Sequence, residues 1–275
     1  MLGLWGAYMP LGTASALLCG PLVIAWTGWA SWWWLLALLT LAMAWLVWLR
    51  VPPDPLRGRS GAHAGPHGAQ GWSHRLRQTL SAPGPWLVAL SFAMYSGQWL
   101  AVIGFLPTIY AQGGMASGTS ALLTALVAAV NMGGNIVSGR LLSRGVPPQR
   151  LLYTGFTVMG LGTLLTFLAL PTAAYEGLPM PLRFVAVLLF SMVGGMIPGT
   201  LFSLAVRLAP GDGTVSTTVG WMQQWASLGQ FAGPPLVAWV ASRAGGWHWT
   251  WVITGACSLV GMVLAAYIRG QLRRR

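Results

Sequence analysis

The chain has 275 residues, of which 55% are hydrophobic and only 7% charged, with a formal net charge of +12. So few charged groups cannot coat a water-soluble domain of this length, and most of the surface must face lipid. The positive charge invites a nucleic-acid reading. No basic patch interleaved with aromatics lies in a water-exposed stretch, so the composition speaks against that class.

A helix needs about 20 mainly apolar residues to cross the hydrocarbon core. Segments of that kind lie near 4–26, 31–50, 86–108, 119–142, 152–171, 184–207, 214–241 and 248–269, which predicts an all-α membrane protein of eight transmembrane helices. The first span contains Ala16, Cys19, Gly20 and Pro21, and the second opens after Gly28 and closes at Arg50. Trp26, Trp29, Trp32, Trp33 and Trp34 cluster at the junction of the two, as aromatic side chains do at a membrane–water boundary. Residues 51–82 are different: Pro52, Pro53, Pro55 and a Gly/Ala/His-rich run from Gly58 to Gly71 predict a cytoplasmic linker. Within it, Trp72, Leu76 and Leu80 stand at helical spacing with Arg75 and Arg77, which predicts a short helix on the membrane surface. His63, His67 and His74 are too loosely spaced, without Cys or acid, to make a metal site, and no metal or cofactor is expected.

Polar side chains inside lipid are costly and face the bundle interior or a water-filled path. The third span places Tyr95, Gln98 and Trp99 at i, i+3, i+4; the fourth places Asn131, Asn135 and Ser138 at i, i+4, i+7; the seventh places Gln223, Ser227 and Gln230 at that same spacing. Each set shares one helix face. These residues either line a solute path or hydrogen-bond neighbouring helices. The sixth span offers mainly Ser191, Met192, Met196 and Ser203, and the fifth and eighth carry small hydroxyls and Cys257. Cys19 and Cys257, both inside apolar spans, read as small packing residues.

Charge fixes the orientation. Every basic residue is Arg, and in an eight-span model all but Arg183 and Arg243 fall on one side of the membrane. Arginine-rich loops stay inside, so both termini and the linker are expected in the cytoplasm, with a bacterial inner (plasma) membrane as the expected location. The acids Asp54, Glu176 and Asp212 all fall in loops, so no carboxylate is expected at mid-depth to relay a proton.

The sequence also repeats itself. Gly20-Pro21-Leu22-Val23-Ile24-Ala25-Trp26 returns as Gly233-Pro234-Pro235-Leu236-Val237-Ala238-Trp239, each followed by Gly-Trp, at Gly28-Trp29 and Gly246-Trp247. The copies lie six spans apart, the period of transporters built from two parallel six-helix units. Between them, Gly139-Arg140-Leu141-Leu142-Ser143-Arg144-Gly145 follows the fourth span.

With these motifs the whole chain resembles the major facilitator superfamily. That family carries a glycine-proline motif in its fifth helix, matched at Ala16, Gly20 and Pro21. It also carries a Gly-x-Leu-x-Asp-Arg-x-Gly-Arg-Arg loop after the second helix of each half, matched at Gly139, Arg140, Arg144 and Gly145, with Ser143 in place of the Asp. The resemblance implies that residues 1–50 are the last two helices of an N-terminal half and 83–275 a complete six-helix C-terminal half, with four N-terminal helices missing. It implies that the third, fourth, sixth and seventh spans line a central cavity. The expected function is secondary active transport of a small solute by alternating access, of which this chain is a fragment; the alternative is a non-transporting membrane partner or sensor derived from a transporter. Its expected partners are the bilayer, the solute and the missing helices. A membrane enzyme is not expected, because no nucleophile–base pair, His-Glu-x-x-His or Gly-x-Ser-x-Gly is present.

Overall fold

The computed structural model describes residues 6, 8–52, 71–168 and 177–274. Asp54, Arg57, Arg59, His63, His67, Glu176 and Arg275, with most of the expected linker, lie outside the described residues. The rest is helical: α1 (Tyr8–Thr27), α2 (Trp29–Arg50), α3 (Trp72–Ser81), α4 (Pro83–Gln112), α5 (Ser117–Ser143), α6 (Pro148–Phe167), α7 (Met180–Gly194), α8 (Met196–Leu208), α9 (Val215–Ala244) and α10 (Thr250–Arg274). The short helix expected at 72–80 is α3, with Thr79 buried and Trp72 outward.

By length and apolar composition, α1, α2, α4, α5, the α7–α8 rod and α10 with its leading turn qualify as membrane spans, six among the described residues. The expectation of eight meets that test only in part. α6 carries Gln149, Arg150 and several Thr, and α9 carries Gln223, Gln224, Ser227 and Gln230, which dilute their apolar character. Both are nonetheless of membrane length, and α9 still turns Phe231 and Trp239 outward.

The tightest pairing joins α4 to α9, and it is made by glycines. A Cβ at Gly97 would stand 2.8 Å from the Gly229 carbonyl oxygen, a Cβ at Gly229 would strike the Ala93 carbonyl, and one at Gly233 would strike the Gly97 carbonyl. Lipid offers no hydrophobic pressure between helices, so close backbone approach through small residues is what holds such pairs. The α5 contact with the α7–α8 rod uses the same device. Gly134 faces the Met192 carbonyl, Gly195 faces the Asn131 carbonyl, and Gly199 faces Ser138. Gly133, one residue away, meets open space.

The α7–α8 rod is interrupted at Gly195. There the Ser191 carbonyl accepts the Gly195 N–H at 3.0 Å and also the Asn131 side-chain amide at 2.7 Å. The Ser191 carbonyl thus serves two donors while the ladder bond to Gly195 is kept. At the α5 end, Gly145 adopts a φ of +83° while its N–H reaches the Leu142 carbonyl and the Val146 N–H reaches the Leu141 carbonyl, both at 3.0 Å. That is a Schellman cap, and it gives the glycine of the Gly139–Gly145 motif a backbone reason. Ser143 spends its hydroxyl locally, on the Arg140 carbonyl at 2.8 Å.

α1 packs on α5, and α2 packs mainly on α1, where a Cβ added at Gly20 would meet the Trp32 ring at 3.6 Å. No residue of α2 is buried. The two copies of the Gly-Pro repeat therefore sit in different contacts: Gly20 against an indole, Gly233 against the α4 backbone.

A side chain at Gly97 should part α4 from α9. Gly97→Val is expected to lower stability by about 1–3 kcal/mol through overpacking, whereas Gly104→Ala, where nothing lies within 4 Å, should be neutral or slightly stabilising. Thermal unfolding of the detergent-solubilised chain, followed by size-exclusion fluorescence, checks the pair.

Candidate functional site

A cavity of about 150 Å³ opens between the start of α1 and the faces of α4, α5, α8 and α9. α4 contributes Phe92, Tyr95, Ser96 and Trp99; α5 contributes Asn131 and Asn135; α8 contributes Pro198 and Phe202; α9 contributes Gln223, Ala226, Ser227 and Gln230. Gly6, Tyr8, Met9 and Pro10 close the α1 side. Seven of the eight residues expected at a solute path thus share one cavity wall.

Gln98 does not. It is buried between α4 and α10, where its amide N–H donates to the Met94 carbonyl at 3.0 Å and its carbonyl accepts from the Ser258 hydroxyl at 3.1 Å. Helical geometry explains the difference: at about 100° per residue, Phe92, Tyr95, Ser96 and Trp99 span one arc and Gln98 falls beside it.

The deep wall is a connected polar network. The Tyr95 hydroxyl donates to Asn131 Oδ1 at 3.1 Å, and Asn131 Nδ2 donates to the Ser191 carbonyl at 2.7 Å. Trp99 Nε1 donates to Ser191 Oγ at 3.1 Å, and the Ser96 hydroxyl donates to the Ala226 carbonyl at 2.7 Å. Asn131 therefore ties α4, α5 and α7 together while lining the cavity. Asn135 Nδ2 donates to the Asn131 carbonyl and to Asn131 Oδ1, both at 3.2 Å. Its own Oδ1 is buried with no hydrogen-bond partner. A buried acceptor without a donor is costly, and cavity occupants are its natural partners.

The shallow wall is looser. Gln223 Nε2 reaches the Tyr8 hydroxyl only at 3.5 Å, and Gln230 Nε2 reaches Met9 Sδ at 3.8 Å. Ser227 is exposed. Phe92 and Ser96 went unread in the sequence although they follow the same i, i+3, i+4, i+7 spacing as Tyr95 and Trp99. Pro198, Phe202 and the α1 residues carry no comparable signal, since apolar side chains in apolar spans do not mark themselves.

Among the described residues no group of His, Cys, Asp or Glu is placed to hold a metal. Of the motif residues, Gly139, Arg140, Arg144 and Gly145 form the α5 end, away from the cavity, and Ala16 is exposed on α1.

Comparison with known proteins follows from this architecture. The Major Facilitator Superfamily model matches residues 1–226. The chain belongs to that superfamily. It is an integral membrane protein of a transporter family rather than an enzyme. Two crystal structures of the fucose:proton symporter FucP share the fold. One, of the E. coli protein, has 18% identity and a TM-score of 0.60 over 72% of this chain and 46% of that one. The other, in the outward conformation, has 19% identity and a TM-score of 0.62 over 83% of this chain and 51% of that one. The chain thus spans about half the length of these superfamily members. No curated protein sequence matches it.

Two asparagines one turn apart should behave differently. Asn131→Ala removes the bridge between three helices and is expected to destabilise the fold by about 0.6–2 kcal/mol, the range of interhelical hydrogen bonds in membranes. Asn135→Ala removes an acceptor that nothing satisfies and should cost less. Parallel unfolding of both variants in detergent tests the order.

Proposed function

We propose that this chain forms one wall of the solute path of a secondary carrier, and that the path takes a small neutral solute bearing hydroxyl groups. One observation carries the reading: Asn135, whose buried Oδ1 has no hydrogen-bond partner, lines a cavity alongside a phenol, an indole and further amides. Those groups donate to and accept from hydroxyls, and the rings give an apolar face for a solute to lie on. Among the described residues, no Arg, Lys, His, Asp or Glu lines the cavity, so a charged solute finds no counter-ion in this wall.

Residues 83–275 are proposed as one six-helix half, with α6 and α9 completing its spans, and residues 1–50 as the last two helices of the other half. The Gly-Pro repeat and the superfamily match support that division. The outward face of α2, where Trp33, Trp34, Trp45 and Trp48 are exposed, supports it as well, since it leaves room for further helices. Alternating access then follows as rocking of the two halves about the cavity. Both termini are placed in the cytoplasm by the positive-inside rule. The described spans contain no acidic residue, so any coupling proton is carried by the other half.

The full carrier holding this chain, reconstituted in liposomes, should take up or bind neutral polyols and monosaccharides, and Asn135→Ala should weaken this without a matching loss of stability. Response confined to charged solutes would sink the reading. The described half carries no group that titrates near neutrality in its cavity, so the weakening caused by Asn135→Ala should be the same at about pH 6 and pH 8. This chain alone is expected to give no flux, because the opposing wall would be lipid; solute entry into liposomes holding it alone would overturn the one-wall assignment.

A further inference from the structure

A second cavity, of about 370 Å³, lies at the other extreme of the bundle's chemistry. It sits where the α5–α6 turn, the end of α8 and the end of α10 meet, and Arg207, Arg269 and Arg273 line it with Gln149, Ser203 and Leu272. We infer that it is a site for a phosphate-bearing anion, filled by the headgroup of an anionic phospholipid. The inference stands apart from the solute reading and uses none of its residues.

Arg269 and Arg273 are one turn apart on α10, and like charges at that spacing repel. The α8 end then brings Arg207 to the same space. Among the described residues, the other side chains lining the cavity are neutral. The carboxyl ends of α8 and α10 favour nearby cations, which helps explain why the arginines are tolerated singly. It does not explain why two helix ends direct theirs into one concavity, where α6 adds the positive end of its own dipole at Pro148 and Gln149.

Guanidinium groups present paired donors that match the oxygens of a phosphate, and Ser203 and Gln149 add neutral donors. The level is also right for a lipid: α5, the α7–α8 rod and α10 all qualify as membrane spans, and the cavity lies at their ends, where headgroups sit. Basic pockets between membrane helices bind such headgroups. At the opposite end the arginines are differently housed. Arg243 lies over the Trp239 ring, 5.8 Å from its centroid, and Arg183 lines an otherwise mainly aromatic and apolar pocket.

The test is native mass spectrometry of the intact chain released from vesicles of phosphatidylcholine and phosphatidylglycerol in equal parts. Wild type should retain phosphatidylglycerol preferentially. The R207Q/R269Q/R273Q variant should lose about fivefold in relative retention for each arginine removed, since an arginine at an anionic surface contributes about 1 kcal/mol. The equal-charge control R75Q/R77Q/R140Q should retain most of the preference. If the control loses as much, the attraction is diffuse and the site is overturned. Inorganic phosphate, titrated against the protein in phosphatidylcholine alone, separates the sources. Saturable phosphate binding lost in the triple variant, with no enrichment of phosphatidylglycerol, overturns the lipid assignment; absence of both overturns the anion site. Should the triple variant fail to fold, the single variants R207Q and R269Q carry the same comparison.

Discussion

Helices already dissolved in lipid gain nothing from hiding apolar surface against one another, so their packing must come from backbone contact and from polar groups that lipid cannot satisfy. In this chain the first of these is concentrated where α4 meets α9. Gly97, Gly229 and Gly233 bring the two backbones so close that a methyl group at any of them would meet a carbonyl. That contact fixes the positions of Tyr95, Ser96 and Trp99 on one helix and Gln223, Ser227 and Gln230 on the other. The Ser96 hydroxyl then donates across the same seam to the Ala226 carbonyl, so the glycine approach and the cavity wall form one structure.

The opposite wall depends on the second source. Gly134, Gly195 and Gly199 allow α5 to reach the α7–α8 rod, and Asn131 uses that proximity to place its amide on the Ser191 carbonyl. A single asparagine therefore adds a second donor to the Ser191 carbonyl of one helix, holds the Tyr95 hydroxyl on another, and still faces the cavity. The two readings open for a membrane amide, interhelical contact and solute path, are not exclusive at this position. Only at Asn135 do they separate, because its Oδ1 contributes nothing to packing.

Much of this was legible in the sequence. Long apolar runs, the arginine asymmetry and the Gly-Pro repeat are coarse signals that survive any detail of packing, and they led to the right family. The amides at i, i+4, i+7 on α5 and α9 were legible because a polar side chain in lipid has few places to go. Gln98 was misplaced because spacing places residues on a common arc but does not mark where that arc ends. Its partner, Ser258, lies 160 residues away on α10, and no local pattern announces such a pairing. The apolar half of the cavity was silent for a different reason: Pro198 and Phe202 look like every other lipid-compatible residue until the tertiary fold turns them inward.

The distribution of charge and of polar neutrality divides the molecule into two functional environments. Arginines gather where α5, α8 and α10 end and α6 begins, and the cavity between α4, α5, α8 and α9 carries none. Placing a cation in that cavity would require a buried counter-charge, which the described spans lack, or would leave it unpaired at a cost of several kcal/mol. Amides avoid that dilemma, since they present donor and acceptor at once without the desolvation penalty of an ion. A wall built from them offers hydrogen bonds without carrying a charge. The arginine-rich end therefore keeps its charge where the helices end, and the cavity wall stays neutral, with one acceptor, Asn135 Oδ1, left without a donor.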